Sequence, residues 1–325
     1  MSAPATPADP ASTPTAGVRR GRGTTRVQRA REVVDSYLAL TKTRIIEQLL
    51  VVTVPAMFLA QRGVPSVWLI LATLVGGAMA AASAHALNCV VDADIDAKMK
   101  RTSRRPLAKG VVPPRNALIF GLVLGAVSSA WLALTTNWLA AALSAAAIAF
   151  YVLVYTLLLK RRTAQNIVWG GAAGCMPVVI GWAAVTGTVG WPALVMFGVI
   201  FFWTPPHFWA LAMRYRDDYA AAGVPMLPVV ARPDQVSVRI VGYAVVMALW
   251  TLLLLPVTSW IYAAVALLGG GWFVFKSVRM HVAVKAGRDV TPMKLFHLSN
   301  IYLCVLFAAI AVDAAVGLPT FGWPF

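Results

Sequence analysis

The chain has 325 residues, 59% of them hydrophobic and 12% charged, with a formal net charge of +16. Soluble domains average about half apolar and a quarter charged residues, so this composition excludes an ordinary water-soluble enzyme and indicates an integral membrane protein. At roughly twenty apolar residues per crossing, the length accommodates about eight to ten membrane helices and little else.

Residues 1–35 are rich in Ala, Pro, Thr, Ser and Arg and contain no apolar run. Such a segment cannot bury enough surface to fold, so a disordered basic tail is expected there. It also lacks the apolar core of a secretion signal. Residues 36–325 are expected to form a single transmembrane domain.

Nine apolar segments follow, at about 44–61, 66–91, 116–135, 138–158, 165–186, 191–212, 237–257, 259–276 and 294–315. The fold class expected is therefore all-α, a polytopic membrane protein of about nine transmembrane helices. Prolines inside the first, fifth, sixth and seventh segments are compatible with this, because neighbouring helices re-satisfy the backbone groups they free.

The bases are not spread evenly. Of the 28 Lys and Arg residues, all but Arg62 fall in the N-terminal stretch up to Arg44 or in the even-numbered connections and their flanks. Basic charge on one face only is the positive-inside pattern, which places the N-terminus and the even connections in the cytoplasm and the C-terminus outside. The net charge is thus explained by topology, and nucleic acid is not expected as a partner. Cys89, Cys175 and Cys304 lie far apart in apolar segments, without a CxxC or metal-ligand spacing.

Carboxylates are few, and five of the twelve acidic residues form two clusters: Asp92, Asp94 and Asp96, then Asp217 and Asp218. Both stand at cytoplasmic ends of even-numbered helices, where orientation calls for bases and lipid is close, so a functional role is the default reading. If the second helix continues through the first cluster, Asn88, Asp92 and Asp96 recur every fourth residue. They form one column of oxygen ligands, with Asp94 roughly opposite. Hard Mg²⁺ takes oxygen ligands and shares its shell with substrate phosphates. An EF-hand is excluded, because Ala97 stands where its Gly is required and Ser103 where its Glu is. Lys98, Lys100, Arg101, Arg104 and Arg105 follow directly, and Lys160, Arg161 and Arg162 end the fourth helix. Carboxylates, metal and bases together can grip a diphosphate.

The stretch NCVVDADIDAKMKRTSRRPLAKG, residues 88–110, resembles the first aspartate-rich motif of UbiA-type intramembrane prenyltransferases. The segments YLALTKTRIIEQLL, YTLLLKRRTAQNIVWGGAAGCMPVVIGWAAVTG, FWTPPHFWALAMRYRDDYAAAGVPMLPVV and KLFHLSNIYLCVLF are similar to the haem-farnesylating branch of that family, and the likeness covers roughly residues 36–315. The resemblance implies a UbiA-like helical bundle in a bacterial-type inner membrane, with its active site on the cytoplasmic side. It implies a Mg²⁺-dependent transfer of the farnesyl group of farnesyl diphosphate to a vinyl of haem b, with addition of water. Haem b is then a substrate rather than a cofactor, and a downstream haem-modifying membrane enzyme is an implied partner. Carried over by position, Asn88, Asp92 and Asp96 hold the metal and diphosphate. Arg101, Arg105, Lys160 and Arg161 bind diphosphate oxygens, and Asp217 and Asp218 stand where the second acidic motif lies. Many relatives outside the haem branch carry Asp-x-x-x-Asp at that second motif; here positions 213 and 214 are Met and Arg.

His85 and His207 are candidates for binding haem or assisting the water step, with Trp203 and Trp209 beside the prenyl or haem group. Trp182, Phe201, Phe202 and Phe208 are further candidates for a dry lining. His297 and Glu47 are left without an assigned role. Two other functions compete: a prenyltransferase acting on another aromatic acceptor, which would carry the fuller second motif, and a transporter, which would place charges near the midplane.

Overall fold

The computed structural model describes residues 26–322, so residues 1–25 of the expected tail lie outside the described residues. The chain divides into two compact units, Met1–Asp35 and Ser36–Phe325, and the site lies wholly in the second. Helix α1 spans Arg26–Thr41. It begins within residues 1–35: from Arg26 to Thr41 no Pro or Gly interrupts the sequence, and the composition is helix-compatible.

Thirteen further helices follow: α2 (Thr43–Gln61), α3 (Val67–Val91), α4 (Ala93–Lys98), α5 (Pro114–Thr135), α6 (Trp138–Ala149), α7 (Asn166–Gly170), α8 (Ala172–Thr186), α9 (Trp191–Arg214), α10 (Arg216–Ala221), α11 (Leu227–Val230), α12 (Pro233–Thr251), α13 (Trp260–Lys285) and α14 (Pro292–Val316). A π-helical segment, Phe150–Leu159, continues α6, and a 3₁₀ segment, Leu252–Val257, continues α12. Among the described residues, eight spans are long and apolar enough to cross a membrane by themselves, and α1 with α2 adds one bent pair. The expected count of about nine agrees with this.

Local chemistry sets the ends. The Ser66 hydroxyl accepts from Leu69 N–H to start α3, and the Asn137 amide oxygen accepts from Ala140 N–H to start α6. Prolines sit in the first turns of α5, α9, α12 and α14, where their missing N–H costs no helical bond. Gly187 and Gly317 close α8 and α14 in the left-handed conformation.

Helix faces close on small residues. Gly76 of α3 lies against Leu132 of α5, and Gly198 of α9 lies against the indole of Trp250, which donates to Val195 O. The main core lies among α2, α8, α9, α12, α13 and α14, with Trp209, Tyr262, Phe273 and Phe307 fully enclosed. The outward faces stay apolar, as Leu122, Val123, Leu267 and Leu268 show, because they are made to meet lipid. Trp68, Trp138, Trp191 and Trp260 stand exposed at the first turns of α3, α6, α9 and α13. All four lie at the end of the bundle opposite the aspartate clusters, as an interfacial aromatic belt requires.

Candidate active site

The helix α3 stops at Val91, and Asp92 (φ −92°, ψ 5°) bends the chain before α4 resumes at Ala93. The hydrogen bonds on either side survive: Asp92 N–H donates to Asn88 O at 2.9 Å and Asp96 N–H to Asp92 O at 2.8 Å. The column Asn88, Asp92, Asp96 therefore persists across the bend, and all three side chains are buried. Asp94 is the exception, with 58% of its side chain exposed.

Each member of the column has a cationic partner. Asn88 Nδ2 donates to Asp92 Oδ2 at 2.8 Å and to Thr156 Oγ1 at 3.1 Å, while Asn88 Oδ1 accepts from Lys42 Nζ at 2.8 Å. Lys160 Nζ also donates to Asp92 Oδ2. Arg105 Nη1 donates to Asp96 Oδ2 at 2.6 Å. Asp92 Oδ1 is buried with no hydrogen-bond partner, and the Arg161 guanidinium stands 3.9 Å from it. An orphaned carboxylate oxygen costs about 1–3 kcal/mol in desolvation, and such a site calls for a cation or donor from a ligand.

Lys160 reaches this column because of the π segment. Its N–H bonds to Tyr155 O, five residues back, at 2.9 Å. In an α-helix, residues five apart point roughly 140° away from each other; closing i→i+5 turns instead stacks Lys160 over Tyr155. The Tyr155 ring lies over Gly170 of α7, where any Cβ would stand 2.0 Å from a ring carbon.

The remaining bases separate into two groups. Arg161 forks onto Asp94, with bonds of 2.9 and 2.7 Å, and donates to Val91 O at 2.8 Å. Those bonds hold the Asp94 carboxyl below its ordinary range. Arg101 joins the second acidic cluster: its N–H donates to Asp218 Oδ2 at 3.3 Å, and its guanidinium lies over the Tyr215 ring and contacts the Tyr219 hydroxyl at 3.5 Å. Burial raises the Tyr219 hydroxyl above its usual range, so it stays protonated. Asp217 is exposed, with no hydrogen bond or ion pair among the described residues. Among the described residues no three His, Cys, Asp or Glu side chains converge on one point as metal ligands do. The oxygens of Asn88, Asp92 and Asp96, one of them orphaned, are nonetheless hard donors of the kind Mg²⁺ takes.

An apolar cavity of about 490 Å³ adjoins this cluster, bounded by α2, α3, α6 with its π segment, α7, α8, α9 and α14. His85, one turn before Asn88, lines it together with Tyr151 and Tyr155. Neither His85 ring nitrogen has a hydrogen-bond partner, and its ring meets Tyr151 edge-on at 5.7 Å. From α9, Trp203, His207 and Phe208 line the same cavity. Trp209 does not; it is buried against Tyr243, because two residues on from His207 the helix has turned about 200°. For the same reason Phe201 and Phe202 pack outside the lining, as does Trp182. His297 is also outside it, whereas Glu47 is at its margin.

Sequence reasoning missed Lys42, Thr156, Tyr151 and Ser299 as neighbours of the site. In the sequence Lys42 is one base among many; the structure places it at the break between α1 and α2, with φ +55°.

The profile of the UbiA prenyltransferase family matches residues 49–301. The chain belongs to the UbiA prenyltransferase family. Within that family it is 68% identical over 291 residues to "Protoheme IX farnesyltransferase 1" of Saccharopolyspora erythraea, covering 90% of this chain and 93% of the relative. It is 63% identical over 286 residues to "Protoheme IX farnesyltransferase" of Mycolicibacterium paratuberculosis, covering 88% and 93%. The fold matches a UbiA homolog from Aeropyrum pernix with a TM-score of 0.65 at 19% identity, covering 83% of this chain and 98% of that one. It also matches a UbiA homolog from Archaeoglobus fulgidus bound to GPP and Mg²⁺, with a TM-score of 0.58 at 16% identity and covering 85% and 99%. In this UbiA-family chain, the residues matched by the profile include the whole Asn88–Asp96 column and Lys160.

Proposed function

We propose that this protein transfers the farnesyl group of farnesyl diphosphate to a vinyl group of protohaem IX, with addition of water, giving haem O and diphosphate. The observation that carries this reading is the junction at His85, Tyr151 and Tyr155, where an apolar cavity meets a buried column of carboxylates ringed by Lys42, Lys160, Arg105 and Arg161. One compartment suits a prenyl chain and a macrocycle, the other a diphosphate. The names of relatives at 62–68% identity support haem as the acceptor.

Asn88, Asp92 and Asp96 would hold Mg²⁺, which when bound supplies positive charge to the diphosphate. Lys160, Arg105 and Arg101 neutralise the charge that grows on the leaving group, so the allylic C–O bond breaks heterolytically and the electron pair departs with diphosphate. Lys42 adds a further cation at Asn88. The terminal vinyl carbon then bonds to the farnesyl C1, leaving a cation on the carbon next to the pyrrole. Water adds there and loses one proton, which yields the hydroxyethylfarnesyl side chain. The apolar lining keeps water from the first cation until the carbon–carbon bond has formed.

The site faces the cytoplasm in this reading, because the bases around it belong to the face that the positive-inside rule keeps inside. Membranes containing the protein, incubated with haem b, farnesyl diphosphate and Mg²⁺, should yield haem heavier by one farnesyl group plus hydroxyl. Absence of that adduct alongside prenylation of a phenolic acceptor would overturn the haem reading.

A further inference from the structure

We infer that His207 supplies the axial ligand to the iron of the haem acceptor and that Ser299 sets its tautomer; this rests on the haem reading above. The Ser299 hydroxyl donates to Phe296 O at 2.7 Å, which leaves its lone pairs to accept in the 2.8 Å contact with His207 Nδ1. The proton of the neutral imidazole therefore sits on Nδ1, and Nε2 carries the lone pair. Among the described residues Nε2 has no hydrogen-bond partner, and it is not one of the fully enclosed polar atoms.

The ring is also fixed in orientation. Trp203 stacks on His207 at 4.1 Å with planes 21° apart, and Phe296 stacks at 4.4 Å and 28°. Trp203 is itself tied to the same turn of α14, donating from Nε1 to Ser299 O at 2.8 Å. With Trp203 and Phe296 stacked on it, the ring can offer only its edge, which is the approach an iron ligand needs. An Nδ1–H held by a fixed acceptor is the support that metal-binding histidines carry, because it fixes the tautomer and raises ligand basicity.

Other cavity residues could bind iron: His85, Met176, Cys304, Tyr151 and Tyr155. His85 has no partner on either nitrogen, so nothing sets its tautomer. It also stands one turn from Asn88, at the diphosphate end, where the reacting vinyl must lie. Iron is at the centre of the macrocycle and the vinyls at its rim, so the iron ligand belongs on another wall. His207 lines the cavity from α9.

The test uses the full-length chain purified in detergent and titrated with haem b. Optical and electron paramagnetic resonance spectra are recorded, and farnesyl transfer to haem is measured on the same preparations. The wild type is expected to show an imidazole-ligated haem. His207→Gly should lose that signature, bind haem at least about tenfold more weakly, and regain the signature with added imidazole. Ser299→Ala should keep the signature, weaken binding about tenfold, and raise the ferric/ferrous midpoint because the ligand is less basic. His85→Ala should leave the spectrum unchanged. Retention of the signature in His207→Gly without imidazole overturns the assignment, as does its loss in His85→Ala. Should His207→Gly not fold, Ser299→Ala decides, and unchanged affinity and midpoint overturn the proposal. A wild type that farnesylates haem but shows no imidazole ligation overturns the ligand assignment alone. One that neither binds nor farnesylates haem overturns the acceptor reading with it.

Discussion

Two buried aspartates sit at opposite ends of the bundle and are held very differently. Asp313, near the end of α14, accepts Ser259 N–H on Oδ2 at 2.5 Å and the Ser259 hydroxyl on Oδ1, so both oxygens are satisfied at the start of α13. Asp92 has one oxygen shared by Lys160 and Asn88, while the other has no hydrogen bond. A carboxylate whose bonds are complete is a helix cap; one left half-satisfied among cations is prepared for something the protein does not itself provide. Burial alone does not separate these two roles, but the accounting of lone pairs does.

The largest effect is expected at Asp92. Asp92→Asn keeps the shape but removes the charge, and farnesyl transfer should fall by at least about 100-fold while the protein remains folded in detergent. Full activity in that variant would reduce Asp92 to a structural residue. Asp313→Ala should do the reverse: two Ser259 donors lose their acceptor, lowering stability by about 2–4 kcal/mol, with turnover per folded molecule unchanged. Denaturant titration in micelles, normalised against activity, reads both quantities.

A smaller effect is expected at Lys42→Met, which frees Asn88 Oδ1 and removes one cation from the diphosphate end. The KM for farnesyl diphosphate should rise about tenfold, equivalent to roughly 1.4 kcal/mol, with kcat changed much less. A fall in kcat at constant KM would instead mean that Lys42 acts on the departing diphosphate only after ionisation begins. The smallest effect belongs to Arg161→Ala. The Asp94–Arg161 pair is solvent-exposed, so its loss should cost less than about 1 kcal/mol at neutral pH. Because Arg161 holds the Asp94 carboxyl low, that contribution is present above the ordinary carboxylate range and is lost as pH falls through the lowered value. Wild type and variant should therefore converge in acid, and a difference that persists there would count against the pairing.

Much of the fold is legible in the sequence. Apolar runs of membrane length marked every span, because lipid leaves a helix no other way to satisfy its backbone. Four-residue spacing put Asn88, Asp92 and Asp96 on one face and set Asp94 aside, and the structure buries the three and exposes the fourth. These features are local, and helical periodicity transmits them directly. What required the tertiary structure was the pairing between distant elements. Lys42 meets Asn88 across 46 residues, and Ser299 meets His207 across 92. Neither spacing leaves a trace in composition or periodicity. The π segment is the clearest case, since its one-residue change of register decides whether Lys160 reaches Asp92. FYVLVYTLLL contains no signal for it; the fit of Tyr155 over Gly170 accompanies that register, and only packing against α7 can reveal it. Trp209 shows the converse, an aromatic residue beside His207 in sequence that the turn of α9 carries into the core.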